Sequence, residues 1–440
     1  MEVTSVNETL FCGREGGIHE AGFAHLTNSD GTEDKHMFWW LFRARENAEN
    51  APVVLVFGGG PGSSGMSSRS SAKAPYPWTD HVNIVAVDHP VGVGFSYGEE
   101  SSLRSSSREA AWDLDDFLQL FWRHHPHLAR NPFFIHSGSY GGTYIPHIVQ
   151  VIRERKATPC PASRISRINK APDAVMMSSV WSDAAAHFRY YARSMHDDLH
   201  FINRTGLELV TLDMPDCLDG IQLAYEQPID ANKVTALNAC IKMKHEELLV
   251  GRDMSDNRCT KPSGCYAAAL KAVEDVMNST GPKAATGVPE SVDYRRTDFL
   301  RRIHTRFVAT GDPIQAAYRL LDPAIDDGLR LLVYTGNNDG ICSWRSNLAL
   351  SSAIGACMSL LQTKHQDEFR TAPEQRWPGV GRFKVAGDMN GTKAGDYAFV
   401  NLWECGHGPF KDQPKIARHL LMKWNKNESF LGRNATVTII

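Results

Sequence analysis

Residues 134–146 read FIHSGSYGGTYIP, and this stretch decides how the rest of the chain is interpreted. It runs from an apolar, strand-like piece through small residues into a helix, whose apolar positions from Ile145 to Ile152 recur at i, i+3, i+4 and i+7. A serine in such a strand-to-helix turn is exposed above a sheet and faces the positive N-terminus of the helix. The candidate nucleophile is therefore Ser139.

The literal elbow pattern G-x-S-x-G is not met, because Ser137 stands where the first glycine belongs. The turn requires small side chains, and serine is small, so the interpretation as an elbow is kept. The alternative is a loop rich in glycine and serine that carries no chemistry. The context that the remaining chain provides decides between the two.

Composition limits the classes of function. The chain has 440 residues, 42% of them hydrophobic, which suffices for a large core and for two or three domain-sized units. Its net charge of -3 gives no indication of a nucleic-acid partner or an anionic membrane. No apolar run approaches the ~20 residues of a membrane span. The start, MEVTSVNETLFCGREGG, lacks the pattern of a signal peptide, so we expect none in this sequence.

The cysteines and sequons favour a secretory route, to the outside or to a vacuole. Nine cysteines suit a large secreted enzyme with a few disulfides. Asparagines in N-x-S/T sequons are candidates for glycosylation. They are Asn7, Asn203, Asn278, Asn390, Asn427 and Asn434.

Short apolar runs alternate with helical patterns over much of the chain, which indicates a parallel sheet covered on both faces. A helix is predicted over 107–128, and another after Ser139. The predicted strands, besides the one before Ser139, cover residues 37–43, 53–57, 82–88, 174–177, 330–334 and 397–403.

The alternation stops between roughly 184 and 298, where helix formers, polar residues and four cysteines are found. We interpret this part as a largely helical cap inserted over the catalytic face. The predicted organisation is a core in two parts, residues 1–183 and 299–440, interrupted by the cap at 184–298. Within the cap, Cys259 and Cys265 suggest a disulfide loop rather than a zinc site, and no metal is predicted elsewhere.

Two further residues complete a catalytic set with Ser139. Asp339 directly follows the predicted strand RLLVY, and His407 directly follows YAFVNLW. The order Ser139, Asp339, His407 is that of nucleophile, acid and histidine in α/β-hydrolases, and each lies just past the end of a strand. Serine needs a base to take its proton, histidine is the natural base near neutrality, and a carboxylate orients the histidine.

Five motifs in order resemble those of the serine carboxypeptidases and the serine carboxypeptidase-like group. GGGPGSS resembles N-G-G-P-G-C-S-S, and VDHPVGVGFSYG resembles D-Q-P-x-G-x-G-F-S-Y. SGSYGGTYIP resembles G-E-S-Y-x-G-x-Y-x-P. GNNDGICSW resembles G-x-x-D-x-x-C-N-W, and GHGPFKDQP resembles G-H-x-x-P-x-D-Q-P. The resemblance implies an α/β-hydrolase fold, a mostly parallel sheet with helices on both faces.

The same resemblance implies the roles of the residues. Ser139, Asp339 and His407 would form the triad, and the backbone N–H groups of Gly60 and Tyr140 would form the oxyanion hole. A separate implication concerns cysteines, because related fungal-type chains pair an N-terminal cysteine with the one after the acid. Cys12 and Cys342 are the candidates here, and two buried thiols are the alternative.

The departures from the family concern substrate binding. The family holds a free carboxylate with the Asn of N-G-G-P-G, the Glu of G-E-S-Y and a further Glu downstream of the glycine loop. Gly58 and Gly138 occupy the first two positions, with Gly59 beside the first, and residues 63–78 contain no acidic residue before Trp78. Arg69 and Lys73 in that loop are an alternative anchor for a carboxylate.

The sequence therefore predicts a serine hydrolase that forms an acyl-enzyme on Ser139 and acts on small peptides or esters without a cofactor. The resemblance leaves open an acyltransferase of specialised metabolism. A catalytically inactive binding protein is the third alternative, and the complete triad argues against it. The sequence does not reveal the oligomeric state.

Overall fold

The structure is a computed structural model of the chain. It describes residues 1–6, 19–27, 34–68, 76–157, 167–261, 264–294, 302–348, 361–388, 393–430 and 438–439. The Cα positions divide into two compact units. The first contains Met1–Ser137, His147–Val175 and Ala269–Phe307, and the second contains Gly138–Pro146, Met176–Ala268 and Val308–Ile440.

The strands are numbered in chain order. They are β1 Thr4–Ser5, β2 His19–Leu26, β3 Lys35–Phe42, β4 Val53–Val56, β5 Asn83–Val87, β6 Tyr97–Gly98, β7 Phe133–Ser139, β8 Ala174–Val180, β9 Arg330–Gly336, β10 Gln375–Trp377, β11 Gly381–Ala386, β12 Tyr397–Leu402 and β13 Thr438–Ile439.

The α-helices are numbered in the same way. They are α1 Ser107–His124, α2 Gly141–Ala157, α3 Ala184–Arg193, α4 Arg204–Glu226, α5 Asp230–Met243, α6 Ala267–Met277, α7 Thr280–Thr286, α8 Ile303–Ala309, α9 Asp322–Asp326, α10 Trp344–Leu348, α11 Gln366–Thr371, α12 Pro409–Asp412 and α13 Pro414–Asn425.

In the first unit the strands follow the order β1-β2-β3-β5-β4-β7, and β6 pairs with β3. The inner strands β4, β5 and β7 are parallel, and β1 to β3 are antiparallel. Every residue of VVLV in β4 and NIVAV in β5 is buried, as expected for strands covered on both sides. The parallel part of the sheet therefore lies where the sequence is continuously apolar.

In the second unit the order is β8-β9-β12-β11-β10-β13. Strands β9 and β12 are parallel, with Leu331 opposite Tyr397 and Gly336 opposite Leu402. Their C-terminal ends therefore lie side by side, which brings the loops that follow them together. Strands β10, β11 and β13 extend this sheet in antiparallel fashion.

Helix α1 shows how local chemistry fixes an element. Ser106 caps it, since its Oγ accepts from Glu109 N while Glu109 Oε2 accepts from Ser106 Oγ. Our sequence prediction extended this helix to residue 128, and that boundary was wrong. The helix ends at His124, because Pro126 disfavours helical geometry in the residue before it.

Between 184 and 294 the regular secondary structure of the described residues is entirely helical and includes no strand. Helices α3, α4 and α5 pack around a buried cluster that includes Phe188, Tyr191 and Ile221. A disulfide between Cys217 and Cys240 joins α4 to α5 inside this cluster. Of this region, residues up to Ala268 belong to the second unit, whereas Ala269–Phe307 belongs to the first. The three-part division remains a prediction.

Candidate active site

Strand β7 and helix α2 form the sharp turn predicted around Ser139. Ser139 has φ 55°, a left-handed conformation that is uncommon for a residue other than glycine and typical of a nucleophile elbow. Its carbonyl accepts from Trp181 N at 2.9 Å, which ties the turn to the end of β8. The residue is partly exposed, while Tyr140 beside it is buried. The strain and exposure are those that a reactive serine needs.

Neighbouring backbone explains why this turn is made of small residues. A Cβ added to Gly142 would lie 2.6 Å from Val180 Cβ and 2.7 Å from Trp181 O. Ser137, the departure from the elbow pattern, is fully buried, and its Oγ donates to Phe57 O at 2.9 Å. Serine is therefore accommodated at this position because its hydroxyl has a backbone acceptor.

Asp339 and His407 meet at the adjacent ends of β9 and β12. His407 Nδ1 lies 2.9 Å from Asp339 Oδ2. The other carboxylate oxygen, Oδ1, accepts from the backbone N–H groups of Ile341 and Cys342 at 2.9 and 3.0 Å. The Asp339 side chain is fully buried, and that of His407 is 20% exposed. The carboxylate is thus fixed in orientation, while part of the imidazole ring is exposed to solvent.

The pKa of His407 is raised above its usual value of 6.5. Burial alone would lower this pKa, but the negative charge of Asp339 and the hydrogen bond to it outweigh burial. A Nδ1–H that donates to Asp339 leaves Nε2 as the basic nitrogen. The pair therefore has the arrangement of a general base and its orienting acid.

Three residues close to His407 were not predicted. The backbone N–H groups of Gly406, His407 and Gly408 donate to Asp412 Oδ2 at 2.7 Å, Ser255 O at 2.7 Å and Tyr266 OH at 3.2 Å. Asp412 belongs to the motif GHGPFKDQP, so a signal for it was present. No local pattern marked Ser255 or Tyr266, because their role depends on a contact across about 140 residues.

The glycine loop that follows β4 belongs to the first unit. Gly60 has φ 113°, a conformation that side chains rarely adopt. A Cβ added to Gly58 would lie 2.1 Å from Ser63 O, so the loop has no space for a side chain at this position. The family's asparagine at this position is thus incompatible with the backbone seen here. Arg69 and Lys73 lie outside the described residues.

Gly138, where the family has glutamate, is similarly restricted. A Cβ added there would lie 2.6 Å from Ser178 Oγ and 3.0 Å from Ser178 O. A glutamate could enter only if Ser178 moved. In this chain, therefore, neither Gly58 nor Gly138 has space for a larger side chain without movement of its neighbours.

A buried carboxylate in the first unit follows β5. Asp88 is fully buried, with Oδ1 accepting from Ser64 Oγ and Oδ2 from Phe95 N at 2.9 Å. The Ser64 hydroxyl also lies 2.7 Å from Tyr294 OH. Burial raises the pKa of Asp88 to about 7, although both hydrogen bonds oppose that shift.

The disulfides agree in part with the sequence analysis. The predicted Cys259–Cys265 bridge is present, and so is Cys217–Cys240, whose pairing the sequence did not give. Cys12 lies outside the described residues, so its pairing with Cys342 remains a prediction. Among the described residues, no helix combines the length and the apolar character needed to cross a membrane.

The sequons differ in their surroundings. Asn7, Asn390 and Asn434 lie outside the described residues. Asn203 is exposed and caps α4, with its Oδ1 accepting from Gly206 N. Asn278 is partly buried, and its Nδ2 donates to Tyr294 O. Asn427 accepts from Arg330 through Oδ1.

Comparison with known proteins gives one family. Residues 15–427 match the family described as serine carboxypeptidase. Carboxypeptidase Y of Komagataella phaffii is 27% identical over 420 residues, which cover 89% of this chain and 73% of the relative. Carboxypeptidase Y of Candida albicans is 26% identical over 411 residues, covering 89% and 71%.

A solved structure gives the same fold. Kex1(delta)p, a prohormone-processing carboxypeptidase from Saccharomyces cerevisiae, aligns with a TM-score of 0.78 over 99% of this chain and 98% of its own. The sequences are 15% identical, so this likeness concerns the fold alone. The α/β-hydrolase fold expected from the sequence is thereby confirmed.

Proposed function

This chain belongs to the serine carboxypeptidase family and is a serine-type hydrolase, and on that premise we propose that it forms its acyl-enzyme on Ser139. The proposed triad is Ser139, His407 and Asp339, and the proposed substrates are small peptides or esters. The single observation that carries the proposal is the 2.9 Å contact between His407 Nδ1 and Asp339 Oδ2 at the ends of adjacent parallel strands.

Acylation would proceed as follows. His407 Nε2 takes the proton of Ser139 Oγ while that oxygen forms a bond to the carbonyl carbon of the substrate. Asp339 stabilises the imidazolium without taking its proton. The carbon–nitrogen or carbon–oxygen bond to the leaving group then breaks, and the leaving group receives the proton from His407. The product is an ester on Ser139.

Deacylation would repeat these steps with water. His407 removes a proton from water as the water oxygen forms a bond to the acyl carbon. The bond between that carbon and Ser139 Oγ then breaks, and Ser139 Oγ receives the proton from His407. Negative charge on the carbonyl oxygen requires N–H donors in both steps. We assign this role to Gly60 and Tyr140. The positive φ of Gly60 and the position of Tyr140 directly before α2 support the assignment.

We further propose that the chain does not depend on a free carboxylate in its substrate. The family anchors such a carboxylate with side chains at the positions of Gly58 and Gly138. Neither position has room here, since Cβ atoms would approach Ser63 O to 2.1 Å and Ser178 Oγ to 2.6 Å. Blocked peptides and esters are therefore the proposed substrates, and Gly58, Gly59 and Gly138 are the proposed substrate-binding positions, each of which offers only backbone.

We also propose the domain organisation of the protein and its passage through the secretory pathway. Residues 184–298 act as a cap on the core formed by 1–183 and 299–440. The regular secondary structure of their described residues is entirely helical, which supports this view. Two disulfides and an exposed sequon at Asn203 support passage through an oxidising secretory compartment.

The experiment is covalent labelling with a fluorophosphonate, combined with turnover of a panel of peptides and esters. Ser139→Ala should abolish labelling and lower kcat by several orders of magnitude, because triad members act as a unit. Ser279→Ala, which alters a serine at the start of α7, is the matched control and should behave as wild type. Full turnover by Ser139→Ala would disprove the proposed mechanism.

A further inference from the structure

The loop closed by the Cys259–Cys265 disulfide touches both halves of the acid–histidine pair. We call residues 253–261 and 264–266 the disulfide loop. Toward the histidine it provides Ser255 O for His407 N, and Tyr266 OH for Gly408 N. Toward the acid, Met254 O accepts from Gly340 N at 2.9 Å. One short loop therefore bonds to the backbone on both sides of the 2.9 Å contact between Asp339 and His407.

Asp412 connects the disulfide loop to a third backbone N–H group beside the histidine, that of Gly406. Its Oδ2 accepts from Gly406 N at 2.7 Å, from Tyr266 OH at 3.1 Å and from Arg258 at 3.1 Å. The Asp412 side chain is 8% exposed, so these donors provide most of its solvation. The disulfide loop thus reaches Gly406 through a buried carboxylate.

Arg258 is itself fixed within the loop. Its Nε and one terminal nitrogen donate to the two oxygens of Asp256 at 2.8 and 2.7 Å, a bidentate pair. The same terminal nitrogen reaches Asp412. Asp253 closes the loop from the other side, accepting from Ser255 N and Cys265 N at 2.8 and 3.0 Å. The loop is therefore held in shape by its own hydrogen bonds as well as by its disulfide.

Glycines of the catalytic motifs provide an independent observation. A Cβ added to Gly406 would lie 2.4 Å from Ser255 O, and one added to Gly408 would lie 2.7 Å from the Tyr266 ring. At Gly340 it would lie 3.0 Å from Met254 O. Gly406 and Gly408 therefore approach the disulfide loop too closely for a side chain, and Gly340 leaves only a tight fit for one.

From these contacts we infer that the disulfide loop positions the catalytic pair, with Tyr266 and Arg258 as its positioning residues. The inference rests on the proposed function, in which Asp339 and His407 serve Ser139. A segment of the helical insertion then belongs to the catalytic machinery. It holds the imidazole at the angle at which Nδ1 meets Asp339, and it touches neither substrate nor reacting atoms.

The decisive variant is Tyr266→Phe, which keeps the ring and removes the hydroxyl shared by Gly408 N and Asp412. Loss of one such hydrogen bond beside a charge is expected to lower kcat about tenfold. KM should change less than about twofold, because substrate contacts are untouched. Tyr191→Phe is the matched control, since it removes a single 3.4 Å hydrogen bond to Lys244 O in the same insertion.

The pH profile separates positioning from general stability. Asp339 raises the pKa of His407 through its charge and through the hydrogen bond between them, so a longer or misaligned contact should move the acid limb of kcat/KM to lower pH in Tyr266→Phe. Tyr191→Phe should leave this limb where it is. A loss of stability alone would reduce the amount of folded enzyme and leave the limb in place.

Arg258→Lys keeps the positive charge on a partly exposed side chain and removes the bidentate contact, so it tests the same claim should Tyr266→Phe fold poorly. It should shift the acid limb in the same direction. The inference would be overturned if Tyr266→Phe and Arg258→Lys both had the kcat and the acid limb of Tyr191→Phe. The proposed function would survive that result as long as Ser139→Ala was inactive. Activity in Ser139→Ala would instead refute the proposed function.

Discussion

His407 Nδ1 and Asp339 Oδ2 lie 2.9 Å apart, and the carboxylate is the fully buried member of the pair. Burial and charge act on the imidazole in opposite directions, and the charge of Asp339 prevails, so the pKa of His407 lies above 6.5. The base must be neutral to accept the proton of Ser139. The pair therefore improves the orientation of the base at the cost of a lower neutral fraction in mildly acidic solution.

The first prediction follows from the sign of this shift. In the wild type, kcat/KM should fall as pH decreases through a pKa above 6.5, and not at the lower pH where carboxyl groups titrate. Asp339→Asn removes the charge that raises the pKa and leaves burial, which lowers it. Its acid limb should move below that of the wild type, while kcat falls by about 10⁴-fold.

The measurement is kcat/KM between pH 4 and 9 with an uncharged ester, so that substrate ionisation plays no part. Asp183→Asn is a suitable control, because it alters a buried aspartate that caps α3 and lies outside the triad. An acid limb of Asp339→Asn that coincides with that of the wild type would show that Asp339 does not set the pKa of His407.

Local sequence sufficed to predict the elbow and the ends of the catalytic strands. Apolar runs identified β4, β5, β9 and β12 to within about one or two residues, because buried parallel strands are continuously apolar. The turn at Ser139 followed from the change of period between β7 and α2. The proposed triad rests on the same pattern, since its three residues lie at or just past the ends of strands.

The remainder could not be predicted because it depends on contacts between distant segments. Strand β2 reads HEAGFAHL, which is neither strictly alternating nor continuously apolar, and it forms by pairing with β3. Two hydrogen-bond partners of the His407 loop, Ser255 O and Tyr266 OH, lie about 140 to 150 residues earlier in the chain. Likewise, nothing local shows that Ser178 occupies the space beside Gly138.

The second prediction concerns Asp88, whose pKa burial raises from 3.8 to about 7. The folded state thus binds this proton more tightly than the unfolded state. Its contribution to stability is complete below pH 3.8 and is lost as pH rises through about 7. The loss amounts to at most about 4 kcal/mol, at about 1.4 kcal/mol per pKa unit.

Asp88→Asn remains neutral at every pH and should not show this loss. Urea unfolding at pH 5 and pH 8 should therefore reveal a smaller decrease in the free energy of unfolding for Asp88→Asn than for the wild type. Asp113→Asn provides a contrast, because that buried carboxylate is ion-paired with Lys35 and Arg104. Equal pH dependence in wild type and Asp88→Asn would contradict the prediction.

The third prediction separates the two disulfides. Cys217 in α4 and Cys240 in α5 are 23 positions apart in the sequence, and loop-closure entropy for a loop of this length gives about 3 kcal/mol. Replacing both by serine should lower the free energy of unfolding by about that amount and leave kcat unchanged. The shorter Cys259–Cys265 loop should stabilise the fold less, at about 2 kcal/mol, yet its removal should lower kcat.

Calorimetry and ester turnover on the two double variants provide the comparison. The expected pattern is a larger stability loss from the bridge in the helical cluster and a larger activity loss from the bridge beside His407. If both variants lost activity in proportion to stability, the disulfide loop would have no special relation to the catalytic pair.

The last prediction concerns the end of the substrate. A pair of carboxyl groups that binds a free carboxylate must retain a proton, so such recognition strengthens as pH falls. In the family these carboxyl groups are the Glu at the position of Gly138 and a Glu downstream of the glycine loop, and residues 63–78 of this chain contain no acidic residue. A matched pair of substrates, one with a free C-terminal carboxylate and one with an amide, should thus give kcat/KM at least as high for the amide. The ratio of kcat/KM for the free-carboxylate substrate to kcat/KM for the amide should not increase as the pH is lowered from 7 to 4.

The geometry at Gly138 also indicates how the preference could be restored. Ser178 Oγ would lie 2.6 Å from a Cβ at this position, so Gly138→Glu alone should destabilise the protein without improving binding of the free acid. Gly138→Glu combined with Ser178→Gly removes that clash and should increase the preference for the free acid several-fold at pH 5. Ser178→Gly alone is the control, since it opens the space without adding a carboxyl group. A wild-type enzyme that already favoured the free acid, increasingly so toward pH 4, would show that another group binds the carboxylate and that the two glycines have not removed its recognition.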